Sequence, residues 1–177
     1  MGTGNCKLLV ARTDASALIK ICGRATFICS ADFKTLVYRL REEQCNRFVL
    51  DLTECVIMDS TFLGILARFG LTLSSSPSEP AGSVQILNPN ERIVGLLKNL
   101  GVDHLFEMVS GAQPLAVQCA TDVELTASAD KREVTRTSLE AHQALIQANP
   151  ENAIRFKDVI RFLAEDLKRQ DEPPAGV

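Results

Sequence analysis

Residues 48–69 read FVLDLTECVIMDSTFLGILARF, and the rest of the chain is arranged around them. Phe48-Val49-Leu50 is a short, bounded apolar run, the mark of a buried strand. A connection of about seven residues follows and ends in Met58-Asp59-Ser60. Phe62, Leu63, Leu66 and Phe69 then recur at helical spacing. The order is strand, loop, helix, with Asp59 or Ser60 at the helix cap. Either side chain offers an oxygen to the free N–H groups of a first helical turn. The same place tolerates added negative charge, because those N–H groups and the helix dipole point positive. A hydroxyl there sits where a phosphate can be carried.

Upstream, Lys7–Arg12 and residues 17–22 are strand-like, and Asp14-Ala15-Ser16 turns the chain between them into a hairpin. Gly23 is expected to end the second strand. Ser30 is expected to cap a helix over about 31–43, with Phe33, Leu36, Val37 and Leu40 on its inner face. Downstream, the helix of the opening stretch should stop before Ser74-Ser75-Ser76-Pro77-Ser78-Glu79-Pro80, a polar surface loop. Residues 84–87 read as a strand. Asn88-Pro89-Asn90 stops it and caps a helix bearing Ile93, Val94, Leu97 and Leu100, with Gly101 suited to the helix end. Residues 105–109 are the last strand candidate. Strands alternating with helices after a hairpin predict an α/β sheet of about four to five mixed strands packed with helices.

From Gly111 to Asp130 no period of useful length is present, so 113–130 reads as a linker after a domain of residues 1–112. Two helices follow. The first covers about 131–148, with Val134, Leu139, His142, Leu145 and Ile146 inward. Asn149-Pro150 ends it and starts a second, about 151–169, with Phe156, Val159, Ile160, Leu163 and Leu167 at regular spacing. The short connection predicts an antiparallel helical hairpin over 131–170, with 171–177 a frayed tail. Its apolar stripe must be buried against something: the first domain, a second copy in a homodimer, or a partner for which it is an arm.

The composition narrows the function classes. Apolar residues make up 46% of 177, enough for a core. Net charge is −3, which argues against a nucleic-acid ligand. Residues 1–119 balance at 11 basic and 11 acidic side chains, so the excess lies in 120–177, with 8 and 11. No apolar run reaches the roughly 18 residues that span a bilayer. The N-terminus lacks a basic region followed by an apolar one, so no signal peptide is expected and the protein reads as cytoplasmic. Six cysteines (Cys6, Cys22, Cys29, Cys45, Cys55 and Cys119) form no C-x-x-C pair and are expected to be reduced, structural thiols.

Catalysis finds little support. His104 lies in a turn and His142 on a helix interface, and neither has a sequence neighbour that suggests a triad. No P-loop or G-x-G-x-x-G occurs. Asp51, Glu54 and Asp59 are three carboxylates over nine residues, weak grounds for a metal. No cofactor and no metal are expected. The residue singled out is Ser60, read either as a plain cap or as a regulated hydroxyl. Thr61 is the second choice of acceptor. Asp59 is either a cap or a carboxylate that positions a kinase.

Leu50-Asp51-Leu52 followed by Met58-Asp59-Ser60-Thr61 and Leu63-Gly64 resembles the signature of STAS domains, and more narrowly that of bacterial anti-sigma factor antagonists, L-D-L…M-D-S-S/T-G-L-G. The similarity covers about residues 7–110. It implies a STAS-like sheet and a partner-switching cycle. The dephosphorylated protein would bind a serine kinase/anti-sigma factor, the kinase would phosphorylate Ser60, and a PP2C-type phosphatase would reset it. Partner contacts are expected at Asp59, Ser60, Thr61, Phe62 and Leu63. Phe62 stands where the family has Gly, and Thr26 where it often has an acidic residue. The alternative is a STAS scaffold or accessory subunit, stressosome-like or lipid-transport-like, with little or no phosphorylation.

Overall fold

The computed structural model describes residues 5–75, 82–112, 121–125 and 130–171. The elements in chain order are β1 (Lys7–Arg12), β2 (Ser16–Ala25), α1 (Phe27–Glu42), β3 (Arg47–Asp51), β4 (Cys55–Met58), α2 (Ser60–Ser74), β5 (Ser83–Leu87), α3 (Glu91–Asn99), β6 (Glu107–Val109), β7 (Thr121–Val123), α4 (Lys131–Ala148) and α5 (Asn152–Asp171). A 3-10 turn at Asp103–Leu105 precedes β6.

Six strands form the order β6-β5-β3-β2-β1-β7, and β4 pairs with β2 beside them. β1 runs antiparallel to both neighbours, and the remaining pairings are parallel. The sheet is therefore mixed, as expected. It gains two strands over the sequence reading, β4 and β7. Four and three residues are too few to show a two-residue period, and β4 lies in what reads as a connection. β7 falls in the stretch read as a linker and lies on the outer edge of β1.

β2 positions the site. Ser16 to Lys20 pair with β3, then Gly23 to Ala25 pair with β4, with a register shift at Gly23. Gly23 does not end the strand as expected. Its positive φ of 76° lets the strand bend and continue. The change of partner brings Met58 beside Ala25, and the Asp59 N–H donates to the Ala25 carbonyl at 3.1 Å. The starts of α1 and α2 are thereby brought together. α1 begins at Phe27, four residues before the expected 31, with Thr26 at its cap position. Ser30 lies inside the helix, its hydroxyl donating to the Thr26 carbonyl at 2.9 Å.

α2 is buried nearly all round: Thr61 to Ala67, Phe69, Gly70 and Leu73 all lie inside. A helix apolar on every side must be covered on every side. α1 packs against one flank, and α4 lies along the outer one. α4 and α5 form the expected antiparallel hairpin. The last turn of α5 returns to the first turn of α4 through the Arg132–Asp171 ion pair and a Gln170 to Thr135 hydrogen bond of 3.3 Å. The hairpin is also tied to α3: the Asn152 side chain donates to the carbonyls of Leu100 and Leu145 at 2.8 and 2.9 Å. Its apolar stripe is covered in part within the chain: Ala141, Leu145 and Phe156 join the main core, while Val159, expected inward, is 38% exposed. Among the described residues, no helix is long and apolar enough to cross a membrane.

Candidate functional site

Asp59 is the N-cap of α2, its Oδ1 accepting the Phe62 N–H at 2.9 Å. Its Oδ2 accepts the Phe27 N–H at 2.7 Å, the first N–H of α1. One carboxylate therefore caps two helices. This explains how α1 starts without a cap of its own, since the Thr26 side chain makes no capping bond.

Ser60 is the first residue of α2 and is half-buried. Its hydroxyl lies 3.0 Å from Nε2 of His142 on α4. The other ring nitrogen, Nδ1, lies 2.7 Å from the Ser138 carbonyl. A carbonyl only accepts, so Nδ1 carries the hydrogen. In the neutral ring Nε2 is then the acceptor and Ser60 donates. His142 is 4% exposed and stands edge-on to the Phe156 ring, centroids 4.8 Å apart.

The remaining sequence candidates lie inward. Thr61 is 7% exposed, Phe62 0% and Leu63 1%. The Phe62 ring sits 4.7 Å from that of Phe33 and packs beneath α1. Phe62 and Leu63, expected as partner contacts, are core residues here and offer a partner no surface. Phe62 lies against Phe33 of α1, while α4 covers the flank of α2 that carries Ser60, Gly64 and Arg68.

α4 approaches α2 very closely. A Cβ on Gly64 would stand 2.3 Å from the Ala141 carbonyl oxygen. Beside this crossing, Glu140 of α4 accepts from Lys34 of α1 at 2.7 Å and pairs with Arg68 of α2 at 3.1 Å. Farther along α2, a groove of about 640 Å³ opens between the helices, lined by Arg41, Arg68, Thr72, Glu140, Gln143 and Gln147 among others.

The carboxylates weighed as metal ligands each have a structural task. Asp51 is fully buried and accepts from the N–H and hydroxyl of Thr53 at 3.0 and 2.6 Å. Glu54 pairs with Lys20 at 2.5 Å. No cluster of three or more His, Cys, Asp or Glu among the described residues is placed to hold a metal. Cys6, Cys22, Cys29, Cys45 and Cys55 are free thiols, and Cys119 lies outside the described residues. His104 lies in the 3-10 turn.

His142 is the site residue that sequence reasoning did not attach to Ser60, because 82 positions separate them. One signal pointed to a covering helix. Between Phe62 and Leu73, Arg68 is the single charged residue, too few for a helix with a solvated side.

The sequence matches no family model and no curated protein. Solved structures match the fold. An anti-sigma factor antagonist from Mycobacterium paratuberculosis aligns at 14% identity and TM-score 0.52, over 65% of this chain and 93% of its own. The Bacillus cell fate determinant SpoIIAA in its phosphorylated form aligns at 15% identity and TM-score 0.51, over 64% and 97%. The chain shares its fold with these structures.

Proposed function

We propose that this chain is an anti-sigma factor antagonist-like switch regulated by phosphorylation of Ser60. In its dephosphorylated form it binds a serine kinase/anti-sigma factor in the cytoplasm and so frees a sigma factor. The kinase moves the γ-phosphoryl group of ATP to the Ser60 hydroxyl, which ends binding, and a PP2C-type phosphatase hydrolyses the phosphoserine. This protein is substrate and ligand; its partners supply the catalysis. Residues 1–112 form the switch domain, and 131–170 are an addition to it.

The observation that carries this reading is the position of Ser60 in an antagonist fold. It is the first residue of a 15-residue helix, directly after a carboxylate that fixes where that helix begins. The helix dipole favours an anion there. A phosphate adds about two negative charges and strong acceptors at a point where the domain need not unfold to receive them. One protein of the same fold was itself solved phosphorylated.

A second reading, a STAS scaffold or accessory subunit with little phosphorylation, draws support from the burial of Phe62 and Leu63, two of the expected partner contacts. Incubation with candidate serine kinase/anti-sigma factors and ATP, followed by mass-spectrometric mapping, separates the two. Phosphate on Ser60 is the expected result. No modification of Ser60 by any candidate kinase would favour the scaffold.

A further inference from the structure

We propose that the α4–α5 hairpin is an intramolecular occupant of a helix-binding face on α2, latched by the Ser60–His142 hydrogen bond and released when Ser60 carries a phosphate. The inference rests on the reading of Ser60 as the modified residue.

The seam between α2 and α4 is built unlike the core behind it. The residues α4 buries are Thr135, Thr137, Ser138, Ala141, His142, Ala144 and Leu145, of which Leu145 is the one large aliphatic side chain. α2 presents Ser60, Gly64 and Arg68 at four-residue intervals, which places them along one side of the helix. What joins the two is small or polar: a hydroxyl–imidazole bond, a glycine against an alanine carbonyl, and a carboxylate held by Lys34 and Arg68. The polar groove continues the seam toward the far end of α2. With Leu145 as its one large buried aliphatic side chain, α4 opens at lower free energy than the core strands do.

Phosphorylation acts on the hydroxyl–imidazole bond of this contact. A phosphate on the Ser60 oxygen removes the hydrogen that it donates to Nε2, 3.0 Å away, and sets added bulk and charge against the ring that α4 carries. The added charge falls beside the Asp59 carboxylate, while Glu140 of α4 is already paired with Lys34 and Arg68. Steric bulk and the loss of the hydrogen bond to His142 push α4 away. The uncovered face fits a helix with a small residue against Gly64 and a carboxylate between Lys34 and Arg68. α4 meets those requirements with Ala141 and Glu140. A kinase that reaches Ser60 must displace α4 first, so its apparent affinity falls by the fraction of molecules that are open.

The test needs no kinase. Phosphoserine is installed at position 60 of the full chain, and amide hydrogen exchange is followed by mass spectrometry. Exchange in peptides from 131–148 should rise about tenfold or more, while those from β2, β3 and β5 keep their protection. Unchanged exchange in α4 overturns the proposal, because it means that His142 accommodates the phosphate in place. Should the phosphorylated chain lose protection everywhere, His142→Ala decides: it removes the latch and leaves residues 5–112 intact. Faster exchange confined to α4 and α5 supports the latch, and exchange equal to that of the parent rejects it. A chain that opens when phosphorylated, but that no kinase modifies at Ser60, would retain the latch and lose the switch proposed above. A chain that kinases modify while α4 stays closed would do the reverse.

Discussion

The Phe27 N–H donates to the Asp59 carboxylate at 2.7 Å, across 32 positions of sequence. The same carboxylate accepts the Phe62 N–H with its other oxygen at 2.9 Å. The start of α1 and the start of α2 thus depend on one side chain, and its loss should cost more than one cap. Asp59→Ala is expected to destabilise by about 2 kcal/mol, near the sum of two caps at roughly 1 each. Ser60→Ala removes no cap and should cost about 1 kcal/mol, for the bond to His142. Urea titration of the two variants tests the order. Equal losses would show that Asp59 does not cap both helices.

Gly64 is where α2 and α4 come closest. An alanine Cβ there meets the Ala141 carbonyl oxygen at 2.3 Å, backbone that cannot rotate aside. Gly64→Ala should therefore lift the hairpin at a cost of about 1–3 kcal/mol, despite the better helix propensity of alanine. Limited proteolysis is the check, with earlier cleavage within 131–171 and a persistent fragment from the sheet. In Gly95→Ala the new Cβ meets nothing within 4 Å, so this exposed α3 variant serves as the control and should be neutral or slightly stabilising.

How far the sequence could be read follows from the reach of each interaction. Asp59 was legible, with Ser60, as one of two candidate caps of α2, because a cap and the N–H that donates to it lie three residues apart. Its bond to Phe27 was not, because β4, four residues that look like a loop, had to pair with the end of β2 first. Ser30 and Asp32 made a plausible local start for α1, yet the helix begins at Phe27, where a distant carboxylate supplies the cap. The periodicity of α4 and α5 was visible, as was the turn at Asn149-Pro150, but not the surface that the stripe covers. The link between Ser60 and His142 depends on that docking, so the sequence offered Ser60 as a candidate hydroxyl and His142 as an interface residue, with nothing to join them.

Lys20 and Glu54 give the pH dependence a definite sign. The hydrogen bond from Lys20 holds the Glu54 carboxyl below its ordinary value, and its acceptance by Glu54 raises the Lys20 ammonium. A depressed carboxyl contributes stability above its unfolded value, near 4.5, and loses it as pH falls through the folded one. A raised ammonium contributes below 10.5 and loses its share as pH climbs past that. Glu54 is 57% exposed, so the pair is worth less than about 1 kcal/mol at ordinary salt. Glu54→Gln should lower stability by that small amount between pH 5 and pH 9, and flatten the loss seen on acidification below about pH 4.5. Chemical denaturation across pH, at low and high salt, measures both effects. A variant curve parallel to the parent's on acidification would contradict the assignment.

The thiols of Cys22 and Cys55 are both pushed up to about 11, by burial first; for Cys22 the nearby Glu54 charge adds to it. Raised thiol values favour the neutral form in the folded state. Their contribution to stability is therefore complete below the ordinary thiol value of 9.0 and fades as pH rises toward 11. Only the thiolate attacks an alkylating reagent, and at pH 8 roughly one molecule in a thousand would carry it at either site. Native protein treated with iodoacetamide at pH 8 should leave Cys22 and Cys55 unmodified over times in which the urea-unfolded chain is fully labelled. Site-resolved mass spectrometry reads the two positions separately. Fast labelling of Cys55 in the folded chain would mean that β4 opens readily. Because β4 delivers Asp59 to its place between the two helix starts, such opening would loosen both caps and the latch together.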